Sequence, residues 1–218
     1  MGARTAFLDA LDLNPTLTPI REELLKIDDL LAVPTFSEAD AKAMLRLMPD
    51  HAFANYLLGR ARLDRGAYGQ AEDLFKRSLE KKTNVPAAVG LAALLIEQAA
   101  LKPKGEIETG KLVQAEALLR AALKKEETNT FARQTLIKLL VTKGASDEAY
   151  QLIQPLLKAR PDDFDLRLTY VRIRMQQGKL EEASQLVSDL LDKEYKLHPP
   201  AQARLRLLAK QLSEAISQ

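Results

Sequence analysis

An all-α solenoid, built from helix pairs stacked one on the next, is the fold class this sequence predicts. Ala115, Ala149 and Ala183 fall 34 residues apart, and Ala71 precedes Ala115 by 44, one period plus ten. Glycine keeps the same interval, because Gly66, Gly110, Gly144 and Gly178 each stand five residues ahead of one of those alanines. Proline agrees at the ends: Pro15 to Pro49 spans 34 residues, and Pro49 to Pro161 spans 112, three periods plus the same ten. Self-similarity at a fixed period marks a repeat architecture, in which each unit packs only on its neighbours. Apolar residues make up 46% of the chain with 5% aromatic and no Trp, which suits helix-on-helix packing by small and aliphatic side chains rather than strands.

On this clock the 218 residues form one solenoid of about twelve helices. Residues 1–17 are a half-repeat in which Phe7, Ala10, Leu11 and Leu13 copy the end of a second helix. Residues 18–51 are a degenerate repeat, with Leu24 and Leu25 on one helix and Met44 and Leu45 on the next. Ser37 replaces the alanine there and, with Asp40 following, reads as a helix cap after Pro34. In 52–85, the first helix is broken at Gly66, and Tyr68, Ala71, Phe75 and Leu79 follow at helical spacing on the second. Residues 86–129 have a first helix over Pro86–Ala100 and a second from Lys111 to about Lys125, separated by an inserted loop, 101–110, marked by Pro103 and Gly105. Residues 130–163 and 164–197 repeat the pattern, and Pro155 inside a second helix predicts a kink. Residues 198–218 hold a capping helix whose apolar stripe is Leu205, Leu208, Leu212 and Ile216, since terminal units need a solvated outer face.

Leu58, Gly59, Gly66, Tyr68, Ala71 and Phe75 have the residue types and spacings of a tetratricopeptide repeat, and the chain resembles that family. The resemblance implies a right-handed superhelix whose first helices line a concave groove. Gly59 and Ala71 are then small where two helices approach closest, while Tyr68 and Phe75 fill the space between hairpins. Ile137 and Val171 depart from the pattern at the place of Gly59, which predicts a looser or rotated approach there.

Composition excludes several function classes. The 32 basic and 30 acidic residues give a formal net charge of +2, too balanced for a general nucleic-acid binder. The apolar run Val85 to Ile96 is too short for a membrane span and holds Pro86 and Gly90. With no Cys, thiolate nucleophiles and thiolate metal sites are absent. The two histidines, His51 and His198, are read as exposed turn residues too far apart to share a catalytic or metal site. No phosphate-binding glycine loop or nucleophile elbow occurs. No enzyme activity, metal or cofactor is expected.

Aligning the repeats puts Arg60, Leu94, Lys138, Arg172 and Arg206 at equivalent points of the implied groove, four of the five basic. Steps of about 10 Å between neighbouring helices compare with a Debye length of about 8 Å, so this ladder favours an acidic, extended ligand. Phe53, Tyr56, Phe131, Gln134, Thr169 and Gln202 add aromatic and amide contacts beside it. The Lys, Asn, Asn, Lys, Arg set with which one tetratricopeptide subfamily grips a C-terminal carboxylate is missing: Tyr56, Arg60, Leu91, Phe131 and Thr135 stand at those points. The expected function is a non-catalytic, cytoplasmic scaffold or adaptor holding a peptide or partner segment in its groove. Two alternatives stand beside it: a recruiting domain of a larger enzyme or secretion protein, and a homo-oligomer assembling through the half-repeat at Phe7, Leu11 and Leu13.

Overall fold

A computed structural model describes residues 38–47, 49–80, 84–100, 108–192 and 199–217, with isolated positions 6, 17, 19, 20 and 23. The side chains of residues 40, 43, 44 and 47 are not among them. Ten helices occur there: α1 (Glu38–Leu47), α2 (Ala52–Asp64), α3 (Tyr68–Leu79), α4 (Val85–Ala100), α5 (Thr109–Lys125), α6 (Thr130–Lys143), α7 (Ser146–Ala159), α8 (Phe164–Gln176), α9 (Leu180–Leu191) and α10 (Pro199–Ile216). No strand occurs among the described residues. The two further helices expected fall within residues 1–37. That stretch is described at isolated positions alone, so the readings at Phe7, Leu11, Leu13, Leu24, Leu25 and Ser37 lie outside the described residues, as do those at His198 and in the insertion from Leu101 to Ile107.

The period is written into the backbone. Gly66, Gly144 and Gly178 adopt left-handed φ angles of 71, 75 and 70°, a conformation that costs any residue with a Cβ. After each, one amide reaches back across the turn to the preceding helix: Ala67 to the Arg62 carbonyl, Ala145 to Leu140 and Lys179 to Arg174, each at 2.9 Å. Gly110 departs from its three counterparts. Helix α5 begins at Thr109, so Gly110 lies in the first helical turn and takes no left-handed angle.

Helix starts alternate in the same rhythm. At the N-termini of α2, α6 and α8 a side chain accepts from the amide three residues on: His51 Nδ1 from Ala54, Asn129 Oδ1 from Ala132 and Asp163 Oδ1 from Leu166. His51 is thus a half-buried helix cap rather than the exposed turn residue expected, since capping draws its ring against the helix end. Helices α3, α5, α7 and α9 have no side-chain cap. Helix α7 runs on past Pro155 to Ala159.

The chain divides into two compact units, residues 1–94 and 95–218, and the division falls within α4. In the first unit, Phe75 is fully buried between glycines. A Cβ added at Gly59 would lie 2.8 Å from its ring, and one added at Gly90 would lie 2.9 Å from its Cζ. Ser78, also buried, donates to the Ala52 carbonyl at 2.6 Å and accepts from Asn84 Nδ2 at 3.0 Å, tying the end of α3 to the starts of α2 and α4. In the second unit, α5 to α10 each pack on the next, and α6 also touches α8. Leu168, Val171, Ala183, Val187, Leu190, Leu205, Leu208 and Leu212 form one core through α8, α9 and α10.

The four clock alanines, Ala71, Ala115, Ala149 and Ala183, have no exposed surface. Where Gly59 gives way to Val171, the aromatic ring also gives way: Val187 occupies the place of Phe75, and Val171 and Val187 share one core. The 130–163 repeat makes the same exchange with Ile137 and Ile153, both buried. One large and one absent side chain become two of medium size, which keeps the volume of the crossing nearly constant.

Candidate functional site

Several of the cations tie one part of the scaffold to another. Glu38 meets Lys42 at 2.8 Å, Arg62 at 2.9 Å and Arg65 at 2.6 Å. Its carboxyl is held down to about 2 by the hydrogen bond from Lys42, then those from Arg62 and Arg65. Two periods and the insertion later, Glu116 meets Arg120 at 2.8 Å and Lys143, which stands in the place of Arg65. The Lys143 ammonium, then the Arg120 guanidinium, hold the Glu116 carboxyl below its usual range. Arg120 continues to Glu148 at 2.8 Å, so the network joins α5, α6 and α7.

Arg174, one repeat triplet after Arg62, is enclosed differently. Its guanidinium lies 4.7 Å from the Tyr150 ring centre and 5.7 Å from that of Tyr170, and the two rings stack at 6.0 Å. It donates to Glu182 through Nε at 2.7 Å and to Gln177 Oε1 at 2.8 Å. Gln177 in turn donates to Asp147 at 2.7 Å, so α7, α8 and α9 are clamped at one end. Burial pushes the Tyr170 phenol up against the opposing pull of Arg174.

The ten groove residues read from the sequence divide between the units. Phe53, Tyr56 and Arg60 lie on α2 in the first unit. Tyr56 is only 7% exposed and packs against Phe53 at 5.6 Å and Phe75 at 6.2 Å, so its ring belongs to the core of that hairpin. Arg60 is exposed. The other seven lie on helices of the second unit: Phe131, Gln134 and Lys138 on α6, Thr169 and Arg172 on α8, and Gln202 and Arg206 on α10. Leu94 is fully buried, so the equivalent point on α4 offers no contact.

Of these seven, Phe131 is 74% exposed. A phenylalanine so exposed at the start of a helix lies outside the core and is the kind of surface that marks a contact point. Phe131, Gln134 and Lys138 recur at intervals of three and four on one side of α6. Lys138 and Arg172 are exposed and make no ion pair among the described residues, unlike the cations above. The Thr169 hydroxyl already donates to the Asp165 carbonyl at 2.7 Å, which leaves it an acceptor for a ligand. Helices α6 and α8 are tied at their far ends, where Gln176 Nε2 donates to the Val141 carbonyl at 2.8 Å. Helices α8 and α10 are bridged by Arg204 and Asp165 at 2.6 Å.

The sequence reading missed Asp165, Arg204, the buried polar pair Asn55 and Ser78, and both charge networks. A signal for the networks was present: Glu38, Glu72 and Glu116 each follow a clock position by one residue and each has a base four residues on, at Lys42, Lys76 and Arg120. Among the described residues no group of three or more His, Asp or Glu side chains is placed to hold a metal ion, and no helix is long and apolar enough to cross a membrane. A shallow hollow of about 610 Å³ on α9 is lined by Leu180, Glu181, Ser184, Gln185, Ser188 and, from α10, Ile216, none of which is among the ten residues read from the sequence.

Two tetratricopeptide repeat family models match, one over residues 106–165 and 143–210 and the other over 32–88. The chain belongs to the tetratricopeptide repeat family. No curated protein matches it. Among solved structures, this tetratricopeptide repeat protein is similar to YrrB, titled a TPR protein with an unusual peptide-binding site, at 20% identity and TM-score 0.60 over 94% of this chain and 98% of that one. It is similar also to a tetratricopeptide repeat protein from Parabacteroides merdae, at 16% identity and TM-score 0.61 over 98% of this chain and 79% of that one. MamA matches at 18% identity and TM-score 0.58 over 73% of this chain and 87% of that one. At these identities the likeness is one of fold.

Proposed function

We propose that this protein is a non-catalytic interaction scaffold whose second unit binds an extended, acidic segment of another protein across the first-helix face of α6, α8 and α10. The observation that carries the reading is the exposed ring of Phe131 on the same side of α6 as Lys138, with Arg172 on the neighbouring helix. The aromatic side chain supplies the apolar anchor, and the two unpaired cations supply steering charge and selectivity against basic partners. Gln134 offers an amide for the partner's backbone. Peptide binding by the similarly folded YrrB agrees with this use of the fold.

The test is capture of partners from a native lysate by the wild-type protein and by Lys138→Glu/Arg172→Glu. The double reversal should weaken an acidic partner by about tenfold and flatten the salt dependence of what remains. Phe131→Ala should lose roughly 1–2 kcal/mol of binding with unchanged thermal stability, because the ring is not part of the core. Undiminished capture by the charge-reversed protein removes the reading.

A further inference from the structure

The geometry points to Asp165 as a built-in competitor for the partner's carboxylates, a role that rests on the interaction face proposed above. Asp165, Thr169 and Arg172 recur at intervals of four and three, so they share one side of α8, and the Thr169 hydroxyl binding the Asp165 carbonyl runs along that side. Helices α2 and α6 carry Phe53 and Phe131 at the position that Asp165 occupies on α8. Asp165 is therefore a carboxylate at a point that holds Phe53 on α2, Ala87 on α4, Phe131 on α6 and Pro199 on α10, the one acidic residue among the five.

Its partner is Arg204, which reaches from α10 to within 2.6 Å of Asp165 Oδ1. Both side chains remain half or more exposed, 52% for Arg204 and 64% for Asp165. A pair so open to water is held weakly and exchanges readily. Arg204 presents five donors in a planar fork, and a partner's carboxylate can take that fork in a bidentate arrangement. Asp165 thus holds Arg204 at the face while it is empty and must release it when an acidic segment arrives. The same carboxylate repels the arriving charge, so the face selects for partners able to satisfy Arg204 in its place.

The experiment measures binding of a fluorescein-labelled eight-residue peptide of alternating Glu and Leu by fluorescence anisotropy, with the matching Gln and Leu peptide as an uncharged control. Asp165→Asn should bind the acidic peptide about two- to fivefold tighter than wild type, the range of an exposed ion pair. Asp162→Asn, which removes the same charge three residues away, should give less. In an Arg204→Gln background the gain from Asp165→Asn should vanish, because the competition is for Arg204. No gain in Asp165→Asn, or a gain that persists undiminished beside Arg204→Gln, overturns the proposal. Lys138→Glu/Arg172→Glu separates it from its foundation: loss of binding there with no Asp165 effect sinks the competitor alone, whereas unchanged binding, or no binding by any form, sinks the face as well.

Discussion

Hairpin α2–α3 turns through Gly66 at φ 71° and hairpin α8–α9 through Gly178 at φ 70°, each closed by a backbone bond of 2.9 Å from the residue that follows. Their clock alanines, Ala71 and Ala183, are equally buried. What fills the crossing differs. The first hairpin wedges Phe75 against Gly59 and against Gly90 of α4, whereas the second buries Val171 beside Val187. The arginine four residues before the turn glycine differs as well: Arg62 reaches back to Glu38 on the helix before, and Arg174 reaches forward to Glu182 on the helix after. A repeat therefore fixes its turns and its closest contact and leaves the remaining volume and charge to be balanced locally.

The core exchange provides the strongest way to break this comparison. Phe75→Ala should cost about 3–5 kcal/mol, because it empties a site bounded by two glycines whose backbones cannot follow. Gly59→Val alone should be destabilising by about 1–3 kcal/mol or more through its clash with that ring. Combined with Phe75→Val, it imports the solution used by Val171 and Val187. The double variant should then be more stable than Gly59→Val alone, falling short of wild type because Gly90 is left facing a void. Amide hydrogen exchange in α2 and α3 checks this. A double variant no better than the Gly59→Val single variant would show that the two crossings are not volume-equivalent.

The turn glycines test the shared half of the comparison. Gly66→Ala and Gly178→Ala should each cost about 1–2 kcal/mol, the price of a left-handed backbone for a residue with a Cβ, although open space surrounds both positions. Gly110→Ala should be neutral or slightly stabilising, since that glycine sits in a helix. Thermal unfolding of the three variants suffices. Equal losses at Gly66 and Gly178 with none at Gly110 would confirm that the turn is one device used at both hairpins and not at Gly110.

How far the sequence could be read follows from the same division. Ala71, Ala115, Ala149 and Ala183 were legible because a crossing of two backbones admits one kind of residue, so identity and position coincide. Gly66, Gly144 and Gly178 were legible for the same reason, in dihedral space. Phe75 and Val187 were harder, because a shared volume constrains a pair and neither residue alone. His51 was misread as a solvated turn: a histidine that caps a helix looks in sequence like any residue between helices, and Asn129 and Asp163, its counterparts by period, were the available clue. Of the proposed site, the seven residues on α6, α8 and α10 are chosen by period alone. Tyr56 carries the same periodic label but is folded into the core by Phe53 and Phe75. Asp165 was overlooked because its column, Phe53, Ala87, Phe131, Asp165 and Pro199, shares no one chemistry, and its meaning needed Arg204, five residues beyond its own equivalent on α10.

The smallest effect concerns the two arginines. Glu38 gathers Lys42, Arg62 and Arg65, and its carboxyl sits at about 2 instead of the ordinary 4.5. A carboxyl whose value is depressed on folding stabilises the fold at every pH above its unfolded value. That contribution fades as pH falls from about 4.5 towards 2, where the folded group takes up its proton. Hydrogen exchange or unfolding of the α1–α2 region should accordingly weaken across that window in wild type and change less in Glu38→Gln, which has no proton to gain. High salt should shrink the difference, because Lys42 and Arg65 are more than half exposed and well screened. A Glu38→Gln protein as acid-sensitive as wild type would mean that Arg62 is held by packing, as the ring-enclosed Arg174 is, and the contrast between the two arginines would then reduce to their neighbours' shape.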